Sequence, residues 1–226
     1  MQSWNFEWTK HISVFEYIYL SIIFLAFIIS IWFSKNLPKN MKWVPYLCLL
    51  HFVLELSSDY ASSFLENNRF LYHFAMPIEY CIYVAIFYET FKNISWSKYI
   101  PYTIPLYILL WILIIRHDGL EHIHSKAFGF TCCFVIPMCL LYIRNFIANN
   151  DDNVIIWSDK FFWFVIGCMM YFMGKFFIFG LMDLLIAEDL KMARRIAYSS
   201  HFFNYSLFIS IIIASFVGKN NSHESF

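Results

Sequence analysis

The chain has 226 residues and a formal net charge of zero, with 60% hydrophobic, 22% aromatic and only 14% charged side chains. A water-facing domain carries about a quarter charged residues, so too few are present here to cover a soluble surface. The basic residues are scattered rather than gathered on one segment, which argues against nucleic acid as a partner.

Seven apolar runs, at 12–33, 43–65, 70–91, 99–116, 127–147, 161–184 and 197–217, approach the roughly 20 residues that cross a bilayer as a helix. The alternating segments of about ten residues that mark a transmembrane barrel are absent. The expected class is all-α, a polytopic membrane bundle of about seven transmembrane helices, with 1–226 forming a single transmembrane helical domain.

The first run is too long for a signal-peptide core and lacks a small-residue cleavage site, so it is expected to be retained. The loop after it, SKNLPKNMK, holds Lys35, Lys39 and Lys42, whereas the tail before it holds only Lys10. The positive-inside rule then places this loop and the C-terminus in the cytoplasm and the N-terminus outside. The membrane is expected to be the bacterial cytoplasmic membrane. Lys191, Arg194 and Arg195, between the sixth and seventh runs, dilute that signal.

The second run carries His51, Glu55, Ser58, Asp59 and Ser62. At 100° per residue, positions 51, 55, 58 and 62 form one narrow stripe with Asp59 beside it. The third run carries His73 and Glu79, and Glu79 shares a face with Tyr72, Met76 and Tyr83. Between the fourth and fifth runs lies HDGLEHIH, His117 to His124, where His117, Asp118, Glu121, His122 and His124 are metal-ligating residue types. Spacing alone does not define a tetrahedral site there, so a solvated polar loop is the expectation and no metal is assigned. All six cysteines fall inside the runs and read as small packing residues.

The sixth run contains Lys175, and its Gly167 and Gly174 lie two turns apart, where they let a neighbouring helix approach closely. The seventh contains His201 and Asn204. Because consecutive spans alternate in direction, Asp59, His73, His201 and Asn204 fall in one half of the bilayer, with Glu55, Glu79 and Lys175 nearer its middle.

A charge at the centre of a membrane helix costs about 2.5–3.5 kcal/mol on insertion scales, and such residues usually face a bundle interior. Three carboxylates against one lysine exceed what helix-to-helix pairing alone requires. The candidate ligand-binding set is therefore His51, Glu55, Asp59, Tyr72, His73, Glu79, Lys175, His201 and Asn204. Its expected role is binding a lipophilic small molecule or a membrane protein partner, with no cofactor specified. An intramembrane lipid-directed enzyme and an accessory subunit of a membrane complex stand beside that reading.

Three stretches, NRFLYHFAMPIEY (Asn68 to Tyr80), FFWFVIGCMMYFMG (Phe161 to Gly174) and SHFFNYS (Ser200 to Ser206), carry a family likeness. They resemble a family of seven-helix integral membrane proteins common in Bacteroidetes-group bacteria. The resemblance implies a topology and singles out Tyr72, His73, Glu79, Trp163, Tyr171, His201 and Asn204. Ser58, Asp59, His73 and His201 are similar to the inventory of alkaline-ceramidase-like hydrolases, which bind zinc through three histidines. Here Asn204 and Tyr205 follow His201 where that family pairs histidines. The run MPIEYCIYVAIFYETF, with Pro77, Glu79, Tyr88 and Glu89, resembles small lycopene-cyclase subunits, with Tyr80 in place of their second glutamate.

Overall fold

The computed structural model describes residues 14–65, 68–119, 125–149, 156–188 and 190–217. For Ser62, Asp118, 179–188, 190–195 and 197–201, among others, it describes the backbone alone.

The described residues form seven α-helices: α1 (Val14–Trp32), α2 (Val44–Leu65), α3 (Arg69–Phe91), α4 (Thr103–Asp118), α5 (Ser125–Asn149), α6 (Lys160–Glu188) and α7 (Leu190–Phe216). Short 3-10 turns at Ser34–Asn36, Lys39–Trp43, Ser95–Tyr102 and Ile156–Ser158 join them.

Among the described residues four segments are long and apolar enough to cross a membrane: Phe70–Phe91, Ser95–His117, Lys126–Ala148 and Lys160–Ile178. Glu16–Trp32 and Phe202–Phe216 are apolar but shorter. The 22-residue α2 is not among the four, because His51, Glu55, Ser58 and Asp59 lower its hydropathy.

Polarity is distributed inside out relative to a soluble protein. Phe74, Ile78, Leu106, Leu109, Leu140, Ile147 and Phe177 are exposed, while His51, His73, Glu79 and Asn204 are buried. In water so much exposed apolar surface would drive association; against hydrocarbon it carries no cost.

Helix packing follows a closed circuit. α1 packs on α2, α2 on α3, α3 on α5, α5 on α6, α6 on α7, and α7 returns to α1. α4 leans on the outside of this ring against α3 and α5. Only 11% of its span is buried, against 56% for the spans of α3 and α6.

The ring interior is filled largely by aromatic side chains. Tyr83 meets Phe172 edge-on at 5.0 Å, and Phe87 meets Phe161 at 6.3 Å, linking α3 to α6 across the centre. At one end of the bundle Phe33 packs against Phe216, so α1 and α7 finish on the same side.

The closest helix contact is between α6 and α7. A β-carbon built on Gly167 would meet the Ser210 β-carbon at 2.6 Å, and one on Gly174 would meet the Phe203 ring at 2.2 Å. The two glycines expected to admit a neighbour do so, and the neighbour is α7.

Helix ends are held by specific groups. The Phe162 amide donates to Asp159 Oδ1 at 2.6 Å, capping α6, and the Tyr142 hydroxyl donates to the same oxygen at 3.0 Å. Lys160 Nζ donates to the Asn36 carbonyl at 3.0 Å, tying the first loop to the start of α6. α4 stops at Gly119, whose φ of 77° is a backbone state that suits glycine.

α3 contains Pro77. Proline has no amide hydrogen, so the carbonyl four residues earlier, on His73, loses its helical donor. Trp111 of α4 supplies one: its Nε1 donates to the His73 carbonyl at 2.9 Å. Tyr107 adds a second tether, stacking on Tyr80 at 4.0 Å while its hydroxyl accepts from Thr131 of α5 at 3.3 Å.

Candidate functional site

The polar stripe of α2 and the glutamate face of α3 meet inside the ring. His51 Nε2 and Glu79 Oε1 lie 3.2 Å apart and share a hydrogen bond, with both side chains buried. The His51 ring is clasped edge-on by Tyr171 of α6 at 6.2 Å and by Phe208 of α7 at 5.3 Å. Four helices therefore converge on one imidazole–carboxyl pair. An isolated ionised carboxylate would be strongly disfavoured in such surroundings, and a hydrogen-bonded one is tolerated.

One turn further along α2, Glu55 Oε2 accepts a hydrogen bond from the Tyr72 hydroxyl at 2.8 Å. Ser58 Oγ accepts from Asn68 Nδ2 at 2.7 Å. Asp59, half-buried beside this stripe, feels the charges of Glu55 and of Glu16 from α1. The acidic character thus extends from the centre of the ring toward the end where α2 passes into α3.

Lys175 Nζ donates to the Tyr171 hydroxyl at 3.1 Å and lies 4.5 Å from the centre of that ring. Phe128 of α5 is 5.8 Å away on another side. Glu55 and Glu79 act on the ammonium electrostatically. A tyrosine one turn back on its own helix is therefore a hydrogen-bonding neighbour, and the two glutamates act on it through their charge. Cation–π contact and a hydroxyl acceptor replace part of the hydration such a group loses.

Of the expected residues, His51, Glu55, Tyr72 and Glu79 are brought together, with Lys175 within electrostatic reach and Asp59 at the margin. His73 is buried on α3. Asn204 is buried on α7, its Oδ1 without a hydrogen bond among the described residues. His201 lies on α7, and its side chain falls outside those described. Tyr83 was expected only as a neighbour of Glu79; its hydroxyl is buried without a hydrogen bond among the described residues. Tyr19 of α1, which the sequence did not single out, is buried against Tyr205 and Phe208. In a chain this rich in aromatic residues, tyrosine identity carries little positional signal.

Among the described residues no three His, Cys, Asp or Glu side chains gather as a metal-holding group. Most of the HDGLEHIH loop lies outside the described residues. Glu89 pairs with Lys92 at the end of α3, roughly 15 Å along the helix from Glu79 at 1.5 Å per residue. The two glutamates of the cyclase-like run therefore do not share a site. The cysteines are free; Cys48, Cys132, Cys139 and Cys168 are buried, Cys81 is half-buried and Cys133 is exposed, so a packing role suits four of the six.

Comparison with protein-family models, curated proteins and solved structures gives no match.

Proposed function

We propose that the chain is a seven-span integral protein of the bacterial cytoplasmic membrane, N-terminus outside and C-terminus cytoplasmic. In this reading it binds a lipophilic molecule, or a partner helix, bearing a cationic group through the His51, Glu55 and Glu79 cluster. Membership of the seven-helix Bacteroidetes-group family is part of the proposal and concerns topology.

The carrying observation is that two glutamates inside the ring are each hydrogen-bonded to a side chain that can be neutral, Glu79 to His51 and Glu55 to Tyr72. Among the described residues Lys175 adds one positive charge nearby, so acid is in excess among them, and an excess carboxylate in low-dielectric surroundings favours a cationic ligand. Tyr171 and Phe208 flank the imidazole on two sides.

Tetraphenylphosphonium, a lipophilic cation, provides the test. It should raise the melting temperature of the detergent-solubilised protein by mass action. The shift should vanish in the Glu55→Gln/Glu79→Gln double variant. No shift in the wild-type protein, or an equal shift in the double variant, removes this reading.

One geometric feature favours a second reading, an intramembrane lipid-directed enzyme, either a metal-dependent hydrolase or carotenoid-cyclase-like. A buried imidazole–carboxyl pair is the arrangement that general acid–base catalysis uses. Turnover of a lipid ester or amide that is lost in His51→Gln would promote it.

A further inference from the structure

Residues of α4 and α5, with Phe176 of α6 on one flank, line an open groove of about 850 Å³. That volume falls within the roughly 300–1,000 Å³ typical of small-ligand sites. Its walls are Leu113 and Ile114 of α4, Gly129 and Phe130 of α5, and Phe176 of α6. Arg116, His117 and Lys126 also border it.

The arrangement along the membrane normal is specific. The apolar spans Ser95–His117 and Lys126–Ala148 end and begin at the same face of the bundle. Arg116 and Lys126 therefore stand at the edge of the apolar layer, at headgroup depth, while Leu113, Gly129, Phe130 and Phe176 lie below them. Both basic side chains are exposed.

We propose that this groove is a binding site for one membrane glycerophospholipid, with an acyl chain lying against α4 and α5 and the phosphate held by Arg116 and Lys126. An apolar trough beneath two exposed cations complements a molecule with a hydrocarbon tail and an anionic phosphate joined end to end. Arginine adds a planar fork of donors matched to phosphate oxygens. Gly129 gives the trough its depth: a β-carbon there would meet nothing within 4 Å. The site is separate from the His51–Glu79 cluster. On α5, Phe128 turns inward to Lys175, while Gly129 and Phe130 line the groove.

The open space at Gly129 also supplies the test, because a side chain there starts into the groove with no neighbour within 4 Å of its β-carbon. The protein is reconstituted in vesicles of phosphatidylethanolamine and phosphatidylglycerol, re-extracted in mild detergent, and weighed by native mass spectrometry. Wild type and Gly129→Ala should each retain one phospholipid per chain, and Gly129→Trp should retain none. Arg116→Gln/Lys126→Gln, at two exposed positions, should retain on the order of tenfold less. The same double substitution keeps the proposal testable if Gly129→Trp fails to fold. Diacylglycerol, offered in place of phospholipid, should not be retained. A wild-type protein without retained lipid, or equal retention in Gly129→Trp, overturns the site. Equal retention in the double variant, or of diacylglycerol, overturns phosphate recognition and leaves the two cations as snorkelling residues.

Discussion

Trp111 of α4 completes the hydrogen bonding that Pro77 leaves unfinished in α3: its indole N–H donates to the His73 carbonyl at 2.9 Å. A proline that would otherwise expose a main-chain acceptor inside a helix becomes an attachment point for the outermost helix. Trp111→Phe keeps most of the ring volume and removes the donor, which should cost about 1–3 kcal/mol of unfolding free energy. In a Pro77→Ala background the alanine amide can take up the carbonyl, and the same substitution should cost markedly less. A double-mutant cycle in detergent measures the difference; equal costs in both backgrounds would show that the indole N–H is not what the carbonyl needs.

Glycine substitutions should divide by position. Gly167→Ala forces a β-carbon onto Ser210 at 2.6 Å, and overpacking of this kind costs about 1–3 kcal/mol. Ser210→Gly in the same chain should recover much of the loss. Gly129→Ala meets nothing within 4 Å and should be neutral or stabilising by about 0.5–1 kcal/mol, through lower backbone entropy in the unfolded chain. Thermal melts of the three variants separate the cases.

Breaking the central pair should be costly from one side and milder from both. His51→Leu leaves the Glu79 carboxyl buried without its imidazole, a loss of about 3–5 kcal/mol. His51→Leu/Glu79→Leu removes the stranded polar group and should lie closer to wild type than the single variant does. A double variant at least as unstable as the single would mean that the pair is not isolated from its surroundings.

Lys175 should couple to the glutamates as well as donating a hydrogen bond to Tyr171. Lys175→Met removes the cation that acts on Glu55 and Glu79 and should destabilise the protein. Adding Glu79→Gln should restore part of the loss, with a coupling energy of about 0.5–3 kcal/mol. A Lys175→Met protein that melts like wild type would place the ammonium in contact with water or headgroups.

Orientation can be read independently of all these. Reporter fusions at Lys39 and after the seventh helix should both give a cytoplasmic signal. An external signal at either position reverses or breaks the proposed topology.

Most helix positions were legible because a bilayer imposes a minimum apolar length, and that length is written directly in the chain. Helix ends were less so. α6 runs to Glu188 and α7 begins at Leu190, against expected limits of 184 and 197, because a helix can continue past the apolar layer where hydropathy no longer records it. Before α4, Ser95–Tyr102 is a 3-10 turn containing Pro101, so the α-helix starts at Thr103 rather than at 99.

The sequence put His51 and Glu79 in one candidate set through two polar stripes on consecutive helices, but it did not pair them; that pairing comes from the structure. The tyrosine beside Lys175 did not follow from it either. A search for opposite charge ignores an aromatic hydroxyl on the lysine's own helix, one turn away. Nor did the Trp111 tether, although the spacing from Pro77 back to His73 marks the open carbonyl.

The ring of six helices closes where α7 reaches α1, and Phe208 of α7 forms one side of the His51 enclosure. α7 follows the other six helices during synthesis. Until it docks, the imidazole of α2 and the carboxyl of α3 have one flank uncovered. In a chain whose α7 has not yet docked, this pair is reachable from that side. The last helix to arrive acts as the stopper, and a slow α7 would prolong the one period when these groups stand in the open.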